Sequence, residues 1–232
     1  MSVGEVVILV GGLGTRLRSE VPDLPKPLAP VAGRPFLAHL LDRFAAAGLR
    51  RAILATGYRG GMIQDAIGAR WQDMDIVYSL ETERLGTGGA LKQALQFLQG
   101  DAAHVVNGDT WLDYDPRALE RTTRERGAAI GMALAHVDDL SRFGSVAVED
   151  GIVKRFVEKG AQGAGWINAG AYCFLADGLA ALPPRTAFSL EEDVLVPMAT
   201  AGRVAAFRDT GAFVDIGVPE DYRRAQALLA TA

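Results

Sequence analysis

The chain has 232 residues, of which 49% are hydrophobic, and this is enough to bury the core of what we expect to be one domain. A formal net charge of −4 argues against a nucleic-acid partner or an anionic membrane. The single cysteine, Cys173, excludes a disulfide framework, and the absence of a basic N-terminal region before a long apolar run predicts a cytoplasmic protein.

The first half of the chain alternates predicted strands and helices. Apolar, β-branched runs predict strands over residues 6–10, 51–56, 75–79, 103–107 and 128–135. Apolar residues at helical spacing predict helices over residues 35–48, around 62–67, from the turn LGTGGA to Gly100, and over 116–126. This alternation predicts an α/β fold, a Rossmann-like three-layer sandwich with a mostly parallel mixed sheet.

Beyond Val137 the pattern changes to that of antiparallel strands. Residues 145–159 predict a hairpin, 166–175 a long strand, and 203–207 and 213–215 late strands. Ser189 is the predicted N-cap of a helix, and Pro219 begins the last one. We therefore expect residues 1–232 to form one domain, with a first half over 1–136, a small antiparallel lid over 137–218 and a C-terminal helix over 219–232.

A glycine-rich turn, GGLGTRL, follows the first predicted strand. Gly11, Gly12 and Gly14 let the backbone turn sharply and bring its N–H groups close to a bound group. Thr15 adds a hydroxyl, and Arg16 adds a guanidinium fork that matches the geometry of phosphate. A buried strand that opens into such a turn predicts a polyphosphate-binding site.

Two familiar phosphate-binding motifs do not fit this turn. A P-loop would end in Gly-Lys-Ser/Thr, which is missing. In the dinucleotide fingerprint a third glycine would replace Leu17, and the second strand would end in an acidic residue instead of Thr56. Lys26, which lies between two prolines in PKP, supplies a further cation on a stiff segment.

A series of short motifs spans nearly the whole chain: GGLGTRL, PKP, LGTGGA, NGD, FG at 143–144, VEK at 157–159, NAG at 168–170 and FVDIG near the end. In this order they resemble the signature of the sugar-nucleotide-forming nucleotidyltransferases, which have the nucleotide-diphospho-sugar transferase type of fold. GGLGTRL, PKPLAPVAGRPFL, LGTGGA, NGDTW and WINAG most resemble the D-glycero-α-D-manno-heptose 1-phosphate guanylyltransferases. Uridylyltransferases and mannose-1-phosphate guanylyltransferases share much of this set.

The resemblance implies transfer of a nucleotidyl group from a nucleoside triphosphate to a sugar 1-phosphate, for bacterial surface glycans such as lipopolysaccharide, S-layer or capsule. The attacking phosphate is already an anion, with a second pKa of about 6, so no general base is required. Arg16 would hold the β- and γ-phosphates, Lys26 the α-phosphate, and Lys159 the sugar phosphate. The remaining negative charge predicts Mg²⁺ on Asp109 and Asp215. Arg16, Lys26 and Asp109 are thus the predicted catalytic residues.

Nucleotide binding is expected from the first turn together with Glu81, Gly86 and Thr87. A carboxylate can accept both the N1–H and the N2–H of guanine but only one N–H from uracil, so GTP is favoured over UTP. Alternatively, Glu81 pairs with Arg84 on the surface.

Sugar binding is expected from Gly144, Glu158, Lys159 and Asn168. Asn168 could instead make local backbone bonds, and Trp166 could close over the sugar or pack in the core. Asp215 on its own would be read as a helix cap or a paired core carboxylate.

Two other classes of function remain open. Asp113 and Asp115 form a DxD pattern that could hold the metal of a glycosyltransferase, although their place just before Pro116 favours a solvated helix start. Arg16 and Lys26 argue against that class, because a donor diphosphate needs no clamp for pyrophosphate. A non-catalytic nucleotide-sugar sensor is the third possibility.

Overall fold

The computed structural model describes residues 2–230, except 13–16, 18, 19, 58, 159 and 161. The strands are β1 (Glu5–Leu9), β2 (Pro30–Val31), β3 (Arg34–Pro35), β4 (Arg51–Thr56), β5 (Arg70–Trp71), β6 (Met74–Leu80), β7 (Ala103–Asn107), β8 (Thr110–Tyr114), β9 (Ile130–Val137), β10 (Ser145–Glu149), β11 (Ile152–Val157), β12 (Gly165–Phe174), β13 (Val204–Phe207) and β14 (Thr210–Asp215). The helices are α1 (Phe36–Ala46), α2 (Gly60–Ile67), α3 (Gly86–Ala94), α4 (Pro116–Glu125), α5 (Ala176–Ala180), α6 (Val196–Thr200) and α7 (Pro219–Leu229).

Within the described residues, ten strands form one mixed sheet in the order β10-β11-β13-β9-β12-β7-β1-β4-β6-β5. The pairings make β7, β1, β4 and β6 parallel to one another, whereas β5, β11 and β12 run against the rest. Strand β1 lies inside the sheet, and its Val6, Val7 and Ile8 are fully buried, as a strand covered on both faces requires.

Helices cover both faces of the sheet, which confirms the predicted three-layer α/β fold. Leu41 of α1 and Leu119 of α4 belong to the apolar core on one face, which Val6 and Ile8 of β1 also enter. Leu91 of α3 belongs to the core on the other face. Among the described residues, no helix is both long enough and apolar enough to cross a bilayer.

The predicted hairpin of the second half is present as β10 and β11, but these strands do not form a lid over the sheet, as their pattern had suggested. Strands β10 to β13 belong to the main sheet, and β12 lies between β7 and β9, antiparallel to both. Most residues of β12 are buried, because the strand lies inside the sheet and is covered on both faces. The small separate antiparallel sheet of this region is formed by β8 and β14.

Some helix ends also differ from the prediction. Helix α1 begins at Phe36 because Pro35 pairs with Pro30 in the β2–β3 hairpin. Helix α3 ends at Ala94 and continues only as the 3₁₀ turn Leu95–Phe97, well before Gly100. The carboxylate of Glu5 accepts the N–H groups of Gln99 and Gly100, which replaces the helical carbonyls as their partners. Residues Glu191–Leu195 form a π-helical segment that continues into α6, and Ser189, the predicted N-cap, accepts the Glu192 N–H with its Oγ at 3.2 Å just before this segment.

Candidate active site

A cavity of about 480 Å³ opens at the carboxyl edge of the parallel strands. Ligands of open α/β sheets bind at this edge, because the loops that follow the strands converge there. Many of the residues predicted to bind nucleotide or to act in catalysis line the cavity: Gly11, Gly12, Lys26, Glu81, Gly86, Thr87 and Asp109. Gly14, Thr15, Arg16 and Lys159 lie outside the described residues, and their roles stay predictions.

Lys26, Asp109 and Asp215 form a cluster that we call the carboxylate–lysine cluster. Lys26 Nζ lies 2.6 Å from Asp109 Oδ2 and 3.5 Å from Asp215 Oδ1. Asp109 follows β7, and Asp215 is the last residue of β14. Because β14 pairs with β8 in a register that places Asp215 opposite Thr110, the small sheet brings the two carboxylates together.

The charges of this cluster decide whether it could hold a divalent cation. Burial raises the pKa of Asp215 and the charge of Asp109 raises it further, while Lys26 opposes both effects. Two carboxylates and one ammonium leave a net negative charge, which suits a hard cation that also takes phosphate oxygens. In the described part of the chain, no group of three or more His, Cys, Asp or Glu side chains could hold a metal. Substrate oxygens and water would therefore have to complete the coordination.

Asp215 also satisfies the simpler readings of its position. Its Oδ1 accepts the Gly217 N–H at 2.7 Å, which is a local turn contact. The same oxygen faces Lys26, so the carboxylate is paired as well. These contacts are compatible with metal binding, because a carboxylate has lone pairs beyond those that the two donors occupy.

Glu81 lies directly after β6, at the rim of the cavity. Its Oε2 accepts the Leu85 N–H at 3.3 Å, and burial raises its pKa. The carboxylate has this backbone partner and forms no ion pair with Arg84, which was the alternative reading of the sequence. A Cβ at Gly11 would lie 2.5 Å from Glu81 Oε1, so a larger residue there would require the Glu81 side chain to shift.

The second glycine-rich turn, at the start of α3, is packed against residues 186–190, which we call the docking segment. A Cβ at Gly88 would lie 2.2 Å from the Phe188 ring, and one at Gly86 would lie 2.6 Å from the Phe188 carbonyl oxygen. The Thr87 hydroxyl accepts the Leu190 N–H at 3.0 Å. The glycines of this turn therefore make room for another part of the protein, whereas the sequence motif had suggested nucleotide binding alone.

The predicted sugar-binding residues lie in the second half of the sheet. Asn168 makes one local backbone bond, as in its alternative reading, because its Oδ1 accepts the Gly170 N–H at 3.0 Å. Its Nδ2 also donates to Oε2 of the distant Glu191 at 3.2 Å. Gly144 precedes β10 and Glu158 follows β11, and the pairing of these strands places the two residues opposite each other. Glu158 is exposed to solvent.

Several residues near these sites were missed by the reasoning from sequence. Asn107 and Arg84 line the cavity, and Asn107 could have been found from the NGD motif that identified Asp109. Glu191 had been read only as part of a helix start, and no local signal shows that it meets Asn168.

The residues with alternative readings can now be placed. Trp166 packs against the core beside His136 and Arg208. Asp115 caps α4 by accepting the Arg117 N–H, and Asp113 pairs with Arg43, which confirms the reading of this DxD as a helix start.

Comparison with known proteins gives a consistent family. Residues 5–232 match the family model described as nucleotidyl transferase. The chain is 38% identical over 227 residues to D-glycero-alpha-D-manno-heptose 1-phosphate guanylyltransferase of Aneurinibacillus thermoaerophilus, covering 96% of each protein. It is 36% identical to the mannose-1-phosphate guanylyltransferase of Mycobacterium tuberculosis, covering 96% of this chain and 64% of that protein.

Among solved structures, the fold matches HddC from Yersinia pseudotuberculosis complexed with GMP-PN. The TM-score is 0.85 at 36% identity, and the match covers 97% of this chain and 99% of that one. The family match and the identity to these relatives both extend over nearly the whole chain. The chain belongs to the nucleotidyl transferase family.

Proposed function

We propose that this protein transfers a guanylyl group from GTP to a sugar 1-phosphate, with D-glycero-α-D-manno-heptose 1-phosphate as the favoured acceptor. The observation that carries the proposal is the carboxylate–lysine cluster at the wall of the cavity. The identity to a heptose 1-phosphate guanylyltransferase over 96% of both chains supports the choice of nucleotide and sugar.

In the proposed reaction, an oxygen of the sugar phosphate attacks the α-phosphorus of GTP. The new P–O bond forms as the bond to the β-phosphate breaks, and pyrophosphate leaves with the bonding electrons. The attacking phosphate is already ionised at neutral pH, so the protein has to align and neutralise the reactants. Lys26 is suited to the α-phosphate, because its side chain is only 10% exposed and its ammonium is oriented by two carboxylates.

Asp109 and Asp215 are the residues that we propose hold Mg²⁺. When bound, this ion would neutralise charge on the phosphates and favour departure of pyrophosphate. Arg16 and Lys159 remain our proposed contacts to the leaving group and to the sugar phosphate.

Glu81 is the proposed reader of the base. Its carboxylate lies at the rim of the cavity beside Gly11, where a base would enter next to the first turn. Glu81→Gln replaces one acceptor by a donor that would face a guanine N–H. Because a hydrogen bond to a charged group contributes about 1.5–3 kcal/mol, we expect kcat/KM for GTP to fall by roughly 10- to 100-fold. An unchanged preference for GTP over UTP in this variant would remove Glu81 from base recognition.

The reaction class is tested by pyrophosphate release. Purified protein with Mg²⁺ is incubated with each nucleoside triphosphate and a panel of sugar 1-phosphates, including those of mannose and D-glycero-D-manno-heptose. Fastest release with GTP and the heptose phosphate is expected. Absence of release with every pair would refute the enzyme activity, and release with UTP but not GTP would refute the choice of base. Preference for mannose 1-phosphate would favour the function of the second group of relatives.

A pair of aspartate variants separates this function from that of a glycosyltransferase. Asp109→Asn should lose turnover while it keeps its fold, whereas Asp113→Asn should remain active, because Asp113 pairs with Arg43 outside the cavity. The reverse result would assign the metal to the DxD pattern. A protein that binds GDP-sugar but turns nothing over would be the non-catalytic sensor.

The proposal extends to the place of the protein in the cell. We propose that it acts in the cytoplasm and supplies GDP-heptose to a surface glycan such as lipopolysaccharide, S-layer or capsule. Loss of heptose from the surface glycan of a strain without this protein is the expected result. Unchanged heptose content would contradict this role.

A further inference from the structure

The loop over residues 138–144, which we call the FG loop, joins β9 to β10 and leads into Gly144. Several contacts hold this loop. Asp139 Oδ1 accepts the Ser141 N–H at 2.9 Å, and the buried Leu140 donates its N–H to the Gly163 carbonyl at 3.0 Å. Because the loop is held in this way, the position of Gly144 depends on the elements to which the loop is attached.

The FG loop is attached to α7 by an ion pair. Arg142 Nη2 lies 2.6 Å from Asp221 Oδ2, and the side chain of Asp221 is only 8% exposed. Arg224, one turn further along α7, approaches the other oxygen of Asp221 at 3.4 Å. Burying an ionised carboxylate without a close cationic partner costs free energy, so the fold is stabilised when Arg142 stays beside Asp221.

A second contact joins the FG loop to β14. The ring of Phe143 meets the ring of Phe213 edge-on, with centroids 6.0 Å apart. Phe213 lies two residues before Asp215, and Asp221 lies in the first turn of the helix that follows Asp215. The two contacts of the FG loop therefore bracket Asp215, a member of the carboxylate–lysine cluster.

We propose that Arg142, through its ion pair with Asp221, is a positioning residue that fixes Gly144 of the sugar subsite relative to Asp215. The inference rests on the proposed function, in which Gly144 belongs to the sugar-binding residues and Asp215 holds the metal. Breaking the ion pair would let the FG loop move away from α7 and would increase the distance between Gly144 and Asp215. Binding of the sugar 1-phosphate should suffer most, because Gly11 and Glu81, the proposed nucleotide-binding residues, follow β1 and β6, away from the FG loop.

Direct contact between Arg142 and the sugar phosphate is the competing explanation. The hydrogen bond to Asp221 raises the pKa of the Arg142 guanidinium, and the charge of the nearby Asp215 raises it further. The two explanations differ in what they predict for Asp221. A direct contact with the sugar phosphate survives the loss of Asp221. Positioning through the Arg142–Asp221 ion pair, which we call the clamp, requires both residues.

The experiment compares Arg142→Ala, Asp221→Asn and the double variant in the pyrophosphate-release assay with Mg²⁺. For a clamp, each single variant should raise KM for the sugar 1-phosphate by roughly tenfold, and the double variant should show no further increase, because contacting residues act as one unit. KM for GTP should stay within about twofold of the parent protein. Arg142→Lys should raise KM for the sugar 1-phosphate less than Arg142→Ala does, since an ammonium can still pair with Asp221.

A control arginine lies just before β13. Arg203 pairs with Asp177 at 2.7 Å and has nearly the same exposure as Arg142, but Asp177 is 75% exposed, so Arg203→Ala removes an arginine ion pair that involves no buried carboxylate. Its kinetic constants should be unchanged. Melting temperatures of all variants report folding separately from kinetics.

Three results would overturn the clamp. They are an effect of Arg142→Ala without an equal effect of Asp221→Asn, additive effects in the double variant, or a lower melting temperature with unchanged KM for the sugar 1-phosphate. If Asp221→Asn does not fold, the comparison of Arg142→Ala with Arg142→Lys and Arg203→Ala decides, and equal KM values in those variants reject the proposal. Failure of the parent protein to release pyrophosphate would instead refute the proposed function.

Discussion

Asp215 is predicted to lower the stability of the protein, and Asp215→Asn measures by how much. Burial and the charge of Asp109 raise the pKa of Asp215 above its ordinary value of 3.8. Lys26 opposes this shift only weakly, because its ammonium lies 2.6 Å from Asp109 but 3.5 Å from Asp215. A carboxyl group with a raised pKa in the folded state binds its proton more tightly there than in the unfolded chain. The ionised form therefore destabilises the fold above both pKa values, and this cost disappears below the unfolded value.

The size of the effect is limited by solvent. The Asp215 side chain is 37% exposed, so screening reduces the expected gain from Asp215→Asn at neutral pH to about 0.5–1 kcal/mol. Asparagine keeps an oxygen that can accept the Gly217 N–H bond, so this hydrogen bond need not be lost. In a protein of this length, about 1 kcal/mol corresponds to a rise in Tm of about 2–4 °C.

The assay is denaturant unfolding of metal-free protein at about pH 7 and about pH 4. Asp215→Asn should be more stable than the parent near pH 7, the difference should shrink as the pH falls toward 4, and turnover should be lost. Asp73→Asn, at a carboxylate that is 88% exposed, is the control and should change stability by less than about 0.5 kcal/mol. A loss of stability in Asp215→Asn near pH 7 would show that attraction to Lys26 outweighs burial and repulsion, and would refute this reasoning.

Three further predictions concern packing, charge and metal. Gly88→Ala should lower the free energy of unfolding by about 1–3 kcal/mol, because its methyl group would overlap the Phe188 ring. Gly61→Ala, in open space on α2, should not destabilise, and equal melting temperatures in the two variants would contradict the packing argument. Lys26→Met should abolish turnover and lower stability by about 1–2 kcal/mol, since two partly exposed carboxylates lose their ammonium; an unchanged unfolding curve would contradict this. Mg²⁺ should raise the Tm of the parent protein but not of Asp215→Asn, as calorimetry can show.

Much of the first half of the fold was predictable because its signals are local. The apolar runs of β1, β4 and β7 identify buried strands, and Ser189 identifies a helix start by its side-chain chemistry. The lid was predicted wrongly because a hairpin pattern specifies two paired strands but not the sheet that they join. The end of α3 was predicted wrongly because a contact with Glu5, far away in the sequence, competes with helical hydrogen bonds.

Some residues of the candidate site were predictable from the sequence and others were not. Lys26, Asp109 and Asp215 were identified from residue type and motif, since cations and carboxylates after buried strands suit phosphate and metal chemistry. Glu191 and the docking segment could not be foreseen. Their partners, Asn168 and the turn at the start of α3, lie far away in the sequence. No local sequence pattern predicts either contact.

The sequence by itself therefore determined the succession of strands and helices, the phosphate-binding chemistry and the family that its motifs resemble. Periodicity, caps and reactive residue types are properties of short contiguous stretches, and a single chain displays them directly. Only the tertiary structure decided that Lys26 meets Asp215 across 189 positions, and that Arg142 pairs with the buried Asp221. Such contacts depend on the order of strands in the sheet and on the pairing of β8 with β14, and these are set by the burial of the whole core.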